Sequence, residues 1–231
     1  MTTQATNDYS YRMAKTSGIV GIIAACDYFY SATGILPTPS LKIGYPIFWL
    51  FGPMLVVASH AFYHFFKLQG QRSILLEYGK IFMVLAGAMV CLMGTMQAVS
   101  REHFDLLGIM YPPDSASEAF KMGFRGANSI QSGTDLAWDT FIFGATIFNS
   151  MFFITQKVGW RILGIIGVII GILGLLFNYA AWPANPGNAG LVDLGPLAGI
   201  WYLAACIFLL VQMKQLSTPE GATSTSTSVG R

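Results

Sequence analysis

The sequence predicts an all-α fold, a polytopic transmembrane helical bundle of six spans with both termini cytoplasmic, on three observations. Of 231 residues, 54% are hydrophobic and only 10% are charged, whereas roughly a quarter of a soluble domain is charged. Six stretches each offer about 20 mostly apolar residues, the length at which a helix crosses the hydrocarbon layer with its backbone bonded internally. Lys and Arg also favour alternate connections, which sets an orientation.

Residues 1–15 are polar, with no short apolar core before a small-residue cleavage site. They read as a cytoplasmic N-terminal segment, and the first span as its own insertion signal. That span runs from Thr16 to Leu36, where Pro37 and Pro39 stop it. The second, Ile43 to Phe66, is expected to kink near Gly52 and Pro53, because proline removes a helical hydrogen bond. The third covers Leu76 to Ser100. Residues 101–133 form the longest connection, placed outside. Within it Ser115-Ala-Ser-Glu118 has capping-box spacing, which predicts a short amphipathic helix lying on the membrane surface or over the bundle mouth.

Asp135 to Thr155, Trp160 to Trp182 and Leu191 to Met213 complete the transmembrane domain at 16–213. The short linkers between these last three make them antiparallel neighbours. Residues 214–231 are rich in Ser and Thr with little to bury, and read as a disordered cytoplasmic tail. With the N terminus inside, Arg12, Lys15, Lys67, Arg72, Lys80, Lys157, Arg161, Lys214 and Arg231 lie inside, against Lys42, Arg101, Lys121 and Arg125 outside. An odd number of spans would break that bias. Gly164, Gly167, Gly171 and Gly174 recur at steps of three and four. This lines one face of the fifth span with bare backbone for helix packing.

A net charge of +2 with scattered basic residues provides no footprint for nucleic acid. The three cysteines show no CxxC spacing and read as packing residues. No GxSxG, HExxH or phosphate-binding glycine loop occurs, and no cofactor is implied. The expected partners are the lipid bilayer and, beyond it, a second copy of the chain or a larger membrane complex.

Asp27 stands near the middle of the first span, where an ionised carboxylate costs at least about 3 kcal/mol. Counting from the outer ends places Asp27, Gln97, Asp139, Asn178 and Asp193 in the outer half of the bundle, the candidate lining of a ligand or ion pocket. Asp135 and Asp139 share a helix face in the expected first turns of the fourth span, with Thr134 as N-cap. There the simplest reading is that they complement the helix dipole. His103, Asp135 and Asp139 form an alternative metal set, without a known ligand spacing. His60 and His64 lie one turn apart near the cytoplasmic side and read as an interfacial or hydrogen-bonded pair.

From Trp138-Asp139 through Gly164-Ile-Ile-Gly167 to Gly190-Leu-Val-Asp-Leu-Gly-Pro-Leu197 and Trp201-Tyr-Leu203, the C-terminal half resembles a family of uncharacterised bacterial polytopic membrane proteins of about six spans. The resemblance implies a bacterial inner membrane and a six-helix layout, and no activity.

Three functional classes remain open from sequence. The first is a non-catalytic binder of a small or lipophilic ligand, or an accessory subunit of a membrane complex. The second is a proton- or cation-coupled transporter using intramembrane aspartates. The third is an intramembrane enzyme with an outward-facing acid/base or metal site. The order is that given.

Overall fold

The structure, a computed structural model, describes residues 3–32, 41–110, 118–181 and 192–217, and within them the side chains of 6–30, 49–96, 192–216 and most of 122–181. Among the described residues every regular element is a helix. They are α1 (Thr3–Ala32), α2 (Leu41–Ala58), α3 (His60–Leu68), α4 (Ile74–Met110), α5 (Glu118–Ile154), α6 (Val158–Ala181) and α7 (Gly195–Ser217). Among the described residues four segments are long and apolar enough to cross a membrane: Ile74–Met96, Arg125–Ile154, Val158–Ala181 and Gly195–Leu216. Polar residues Asp8, Arg12 and Lys15 dilute the first half of α1, and a break divides α2 from α3.

With α2 and α3 taken as one broken unit, the helices close a ring in which α1 packs on α2, α2 on α4, α4 on α5, α5 on α6, α6 on α7 and α7 on α1. One core fills it. Its cytoplasmic half, in the orientation read from the charges, is aromatic: Phe153 and Trp160 lie 4.6 Å apart between ring centroids, Phe66 and Phe152 4.8 Å, and Phe62 and Phe153 5.0 Å. Phe65, Phe66 and Phe153 are fully buried.

α2 runs through Gly52 and Pro53 without interruption, and the chain breaks at Ser59. Proline leaves the carbonyl four residues back without its helical donor, and here the Cys91 thiol donates to that Trp49 carbonyl at 4.0 Å. Gly52 meanwhile lies against Gly87, where a side chain on either residue would strike the other's backbone oxygen. The missing side chains let α2 and α4 touch backbone to backbone.

The outer connection is corrected. In place of a loop with a short helix, α4 continues to Met110, and α5 begins at Glu118 and runs unbroken into the apolar segment. Each has 37 residues, about 55 Å at 1.5 Å per residue, against roughly 30 Å of hydrocarbon. Residues 115–117 of the expected capping box lie outside the described residues, as do 218–231 of the expected tail.

Between α3 and α4 the chain reverses in a Schellman turn. Gly70 N–H donates to Lys67 O and Gln71 N–H to Phe66 O, both at 3.0 Å, with Gly70 at φ 73°. Between α5 and α6 the Arg161 guanidinium donates to Ile154 O at 3.2 Å, giving a partner to a carbonyl at the end of α5.

Candidate functional site

A cavity of about 250 Å³ opens inside the ring, lined by residues of α1, α2, α4, α5, α7 and the turn before α7. Each element contributes for a local reason. On α5, Asp135, Trp138, Asp139, Ile142 and Thr146 recur at steps of three and four, so one face of one helix supplies two carboxylates, an indole and a hydroxyl. Thr146 directs its hydroxyl to the Ile142 carbonyl at 2.9 Å.

On α1, Tyr28 lays its ring across the bare backbone of Gly195 and Gly199. A Cβ at Gly199 would meet Tyr28 Cδ1 at 3.1 Å, and one at Gly195 would strike the phenolic oxygen. Tyr28 stacks on Phe51 at 5.9 Å, and Phe51 meets Trp138 edge-on at 5.8 Å, so three rings from three helices form one wall.

Tyr202 is the floor. It lines the cavity, its ring meets Phe62 of the aromatic core edge-on at 5.7 Å, and its hydroxyl donates to Ala58 O at 3.2 Å. Asp193 is solvent-exposed at the rim. Its Oδ1 accepts the Gly195 N–H at 2.8 Å, which satisfies a donor of the first turn of α7.

Three carboxylates therefore border one space, those of Asp135, Asp139 and Asp193, and among the described residues no basic side chain lines it. The helix-dipole reading of Asp135 and Asp139 is corrected by the length of α5. Both lie in the helix interior, four turns or more from Glu118, beyond the reach of its terminal dipole. Thr134 is not a cap either, since its hydroxyl donates back to Gln131 O at 2.7 Å within the helix.

Of the residues expected in the pocket, Asp139 and Asp193 line it, and Asp27 and Asn178 do not. Asp27 is buried, 9% exposed, yet its neighbour Tyr28, turned about 100° around the helix, is the one that faces the cavity. Asn178 belongs to α6, which packs on the far side of α5. The hydrogen bond between Thr140 Oγ1 and Tyr179 Oη, at 2.9 Å, fixes that contact. Gln97 lies in α4, with its side chain outside the described residues, as does that of His103. Asp135 does line the cavity, but among the described residues no three His, Cys, Asp or Glu side chains are grouped to hold a metal ion.

Tyr28, Phe51 and Tyr202 were not singled out from sequence. Trp138 was not singled out as a pocket residue either, although it stands three residues after Asp135 and one before Asp139, on the face they share.

Gly164, Gly167, Gly171 and Gly174 are all buried. Cβ atoms there would run into Ile154 and Ser150, into Ser150 and Trp201, into Ile147 and Phe143, and into Phe143, respectively. Away from the cavity, His64 Nδ1 lies 3.4 Å from Ser10 Oγ, and the His60 and His64 rings are 5.7 Å apart.

No family model, curated protein or solved structure matches the chain.

Proposed function

We propose that this chain is a six-span membrane protein of a bacterial inner membrane, with both ends cytoplasmic, and that it binds a small, partly apolar ligand in the cavity of its outer half. The observation that carries the binding role is a space of about 250 Å³ bordered by a wall of aromatic rings and a rim of carboxylates. Mostly apolar concave sites with a few converging polar groups are where small molecules bind, and drug-sized ligands occupy spaces from roughly 300 Å³ upward. The ligand is correspondingly small.

Six crossings are supported by the ring itself. α1 and α2 are full members of it and present apolar side chains outward, Ile19 and Ile23 on α1 and Leu50 and Val57 on α2. Alkaline phosphatase fused after Gly70 is expected to be inactive, and fused before Asp193 active. The opposite pattern overturns the orientation.

A binder is favoured over a transporter because the cavity is one-sided. Below Tyr202 the described helices close on Phe62, Phe65, Phe66, Phe153 and Trp160. Among the described residues the site also has no nucleophile paired with a base, which places an enzyme last.

Native mass spectrometry of gently extracted protein tests the binding role. A small bound mass is expected on the wild-type chain and is lost on Ala198→Phe, which fills the cavity. An identical spectrum for the two proteins, each well folded, refutes it.

A further inference from the structure

We propose that the ligand of this cavity is an organic cation, an amine or quaternary ammonium group carrying an apolar body. The inference rests on the reading that the cavity binds a ligand, and adds the chemistry of that ligand.

Three features of the lining select for positive charge. Asp135, Asp139 and Asp193 come from two separate parts of the chain and border the same space, and among the described residues no Lys, Arg or His lines it to neutralise them. An anionic ligand would meet like charge on entering. The wall beside them is π-rich. Tyr28, Phe51 and Trp138 touch in sequence at 5.9 and 5.8 Å, and aromatic faces attract a cation through their quadrupole, most strongly for indole. Ring faces with carboxylates alongside are the arrangement that recognises alkylammonium groups.

Two further features separate an organic cation from a metal ion. Among the described residues no trio of carboxylate, thiol or imidazole groups is close enough to hold a metal. The remaining lining, with Ala25, Leu55, Val90, Met93 and Ile142, offers apolar contact that a hydrated ion cannot use. A cation with methyl or methylene groups on nitrogen is weakly hydrated and matches both surfaces. Asp139, in the interior of α5, and Asp135, one turn away, stand on either side of Trp138 in the sequence and on its face of the helix. A charge held against the indole is therefore within reach of both.

The test compares two ligands of one shape. Benzyltrimethylammonium and its neutral carbon analogue neopentylbenzene are titrated into the full chain in nanodiscs, with binding read by tryptophan fluorescence and by thermal stabilisation. The cation is expected to bind at least tenfold tighter than the neutral analogue. Asp139→Asn is expected to remove most of that preference, and Trp138→Leu to weaken the cation more than the neutral compound. Benzenesulfonate is expected not to bind.

Equal binding of cation and neutral analogue overturns the charge selectivity while leaving the cavity a binding site. Preference for the sulfonate also overturns it. If neither benzyl compound binds, and native mass spectrometry finds no cavity-dependent mass, both readings fall together. The comparison of the two compounds on the wild-type chain needs no variant, so a substitution that disturbs folding does not blunt it.

Discussion

Gly167→Ala measures how tightly α6 is seated. A Cβ at this position would strike Ser150 Oγ on α5 and come within 2.6 Å of both Cε2 and Nε1 of Trp201 on α7. Neither neighbour yields easily. Ser150 is fully buried, and Trp201 is 2% exposed with its indole N–H donating to Leu163 O at 2.7 Å. Forcing a methyl group into a packed core costs about 1–3 kcal/mol, and displacing the indole from Leu163 adds about 1 kcal/mol. Replacing glycine by alanine in a helix returns about 1 kcal/mol. The net loss is about 1–3 kcal/mol, or roughly 2–4 °C of melting temperature for each kcal/mol in a chain of this size.

The assay is thermal unfolding in detergent, with Trp201→Leu and the double variant measured beside it. Removing the indole relieves the collision, so the two substitutions should be less than additive, coupled by at least about 0.5 kcal/mol. If Gly167→Ala melts at or above the wild-type temperature, the seam between α5, α6 and α7 is looser than the structure places it. That result would refute the reasoning.

Three other substitutions probe single features. Gly126 lies in the part of α5 that extends beyond Asp135 toward Glu118, and nothing lies within 4 Å of an added Cβ. Gly126→Ala should stabilise that extension by about 1 kcal/mol, seen as slower amide exchange over 118–133; unchanged exchange would mean the extension is not helical. Gly70 also has open space around it but holds φ at 73°, so Gly70→Ala should cost about 1–2 kcal/mol through the backbone alone. No loss in thermal unfolding would contradict the Schellman turn. Ser150 Oγ is buried with no hydrogen-bond partner, and burying a hydroxyl unpaired costs about 1–3 kcal/mol. Ser150→Ala should therefore raise the melting temperature, and a fall would show that the hydroxyl has a partner.

The helical, membrane-capable class was legible because composition alone sets it: a chain this apolar and this poor in charge cannot expose its backbone to lipid. The ends of helices were less legible. Gly123, Gly126 and Gly133, with Asn128, Ser129 and Ser132 between them, read locally as a loop, yet α5 passes through all three. Each glycine costs a helix about 1 kcal/mol, a preference too weak to end α5 there. Pro53 likewise does not end its helix. Its cost is a single unmade hydrogen bond to Trp49 O, and a thiol from α4 reaches that carbonyl.

The site was legible only where one helix carries it. Asp135, Trp138 and Asp139 share a face by arithmetic, whereas Asp27 and Tyr28 are one residue apart and depth along the span cannot choose between them. That choice is made by α7. Gly195 and Gly199 present a strip of bare backbone that accepts a flat ring, and the rotation of α1 that seats Tyr28 there leaves Asp27 off the cavity lining.

Two faces of α5 explain why packing and binding belong to one design. Asp135, Trp138, Asp139, Ile142 and Thr146 border the cavity, while Phe143, Ile147, Ser150 and Ile154, displaced around the same helix, receive the glycines of α6. The glycines bring α6 against the α5 backbone itself, with Phe143 O 3.1 Å from a Cβ placed at Gly171. Contact at that range fixes rotation about the helix axis more firmly than side-chain packing at the usual 8–10 Å between axes. Because a helix turns as a unit, the rotation set on the α6 side also sets where Asp135 and Asp139 aim on the cavity side. In this arrangement α6, none of whose described residues lines the site, positions the helix that contributes most to it.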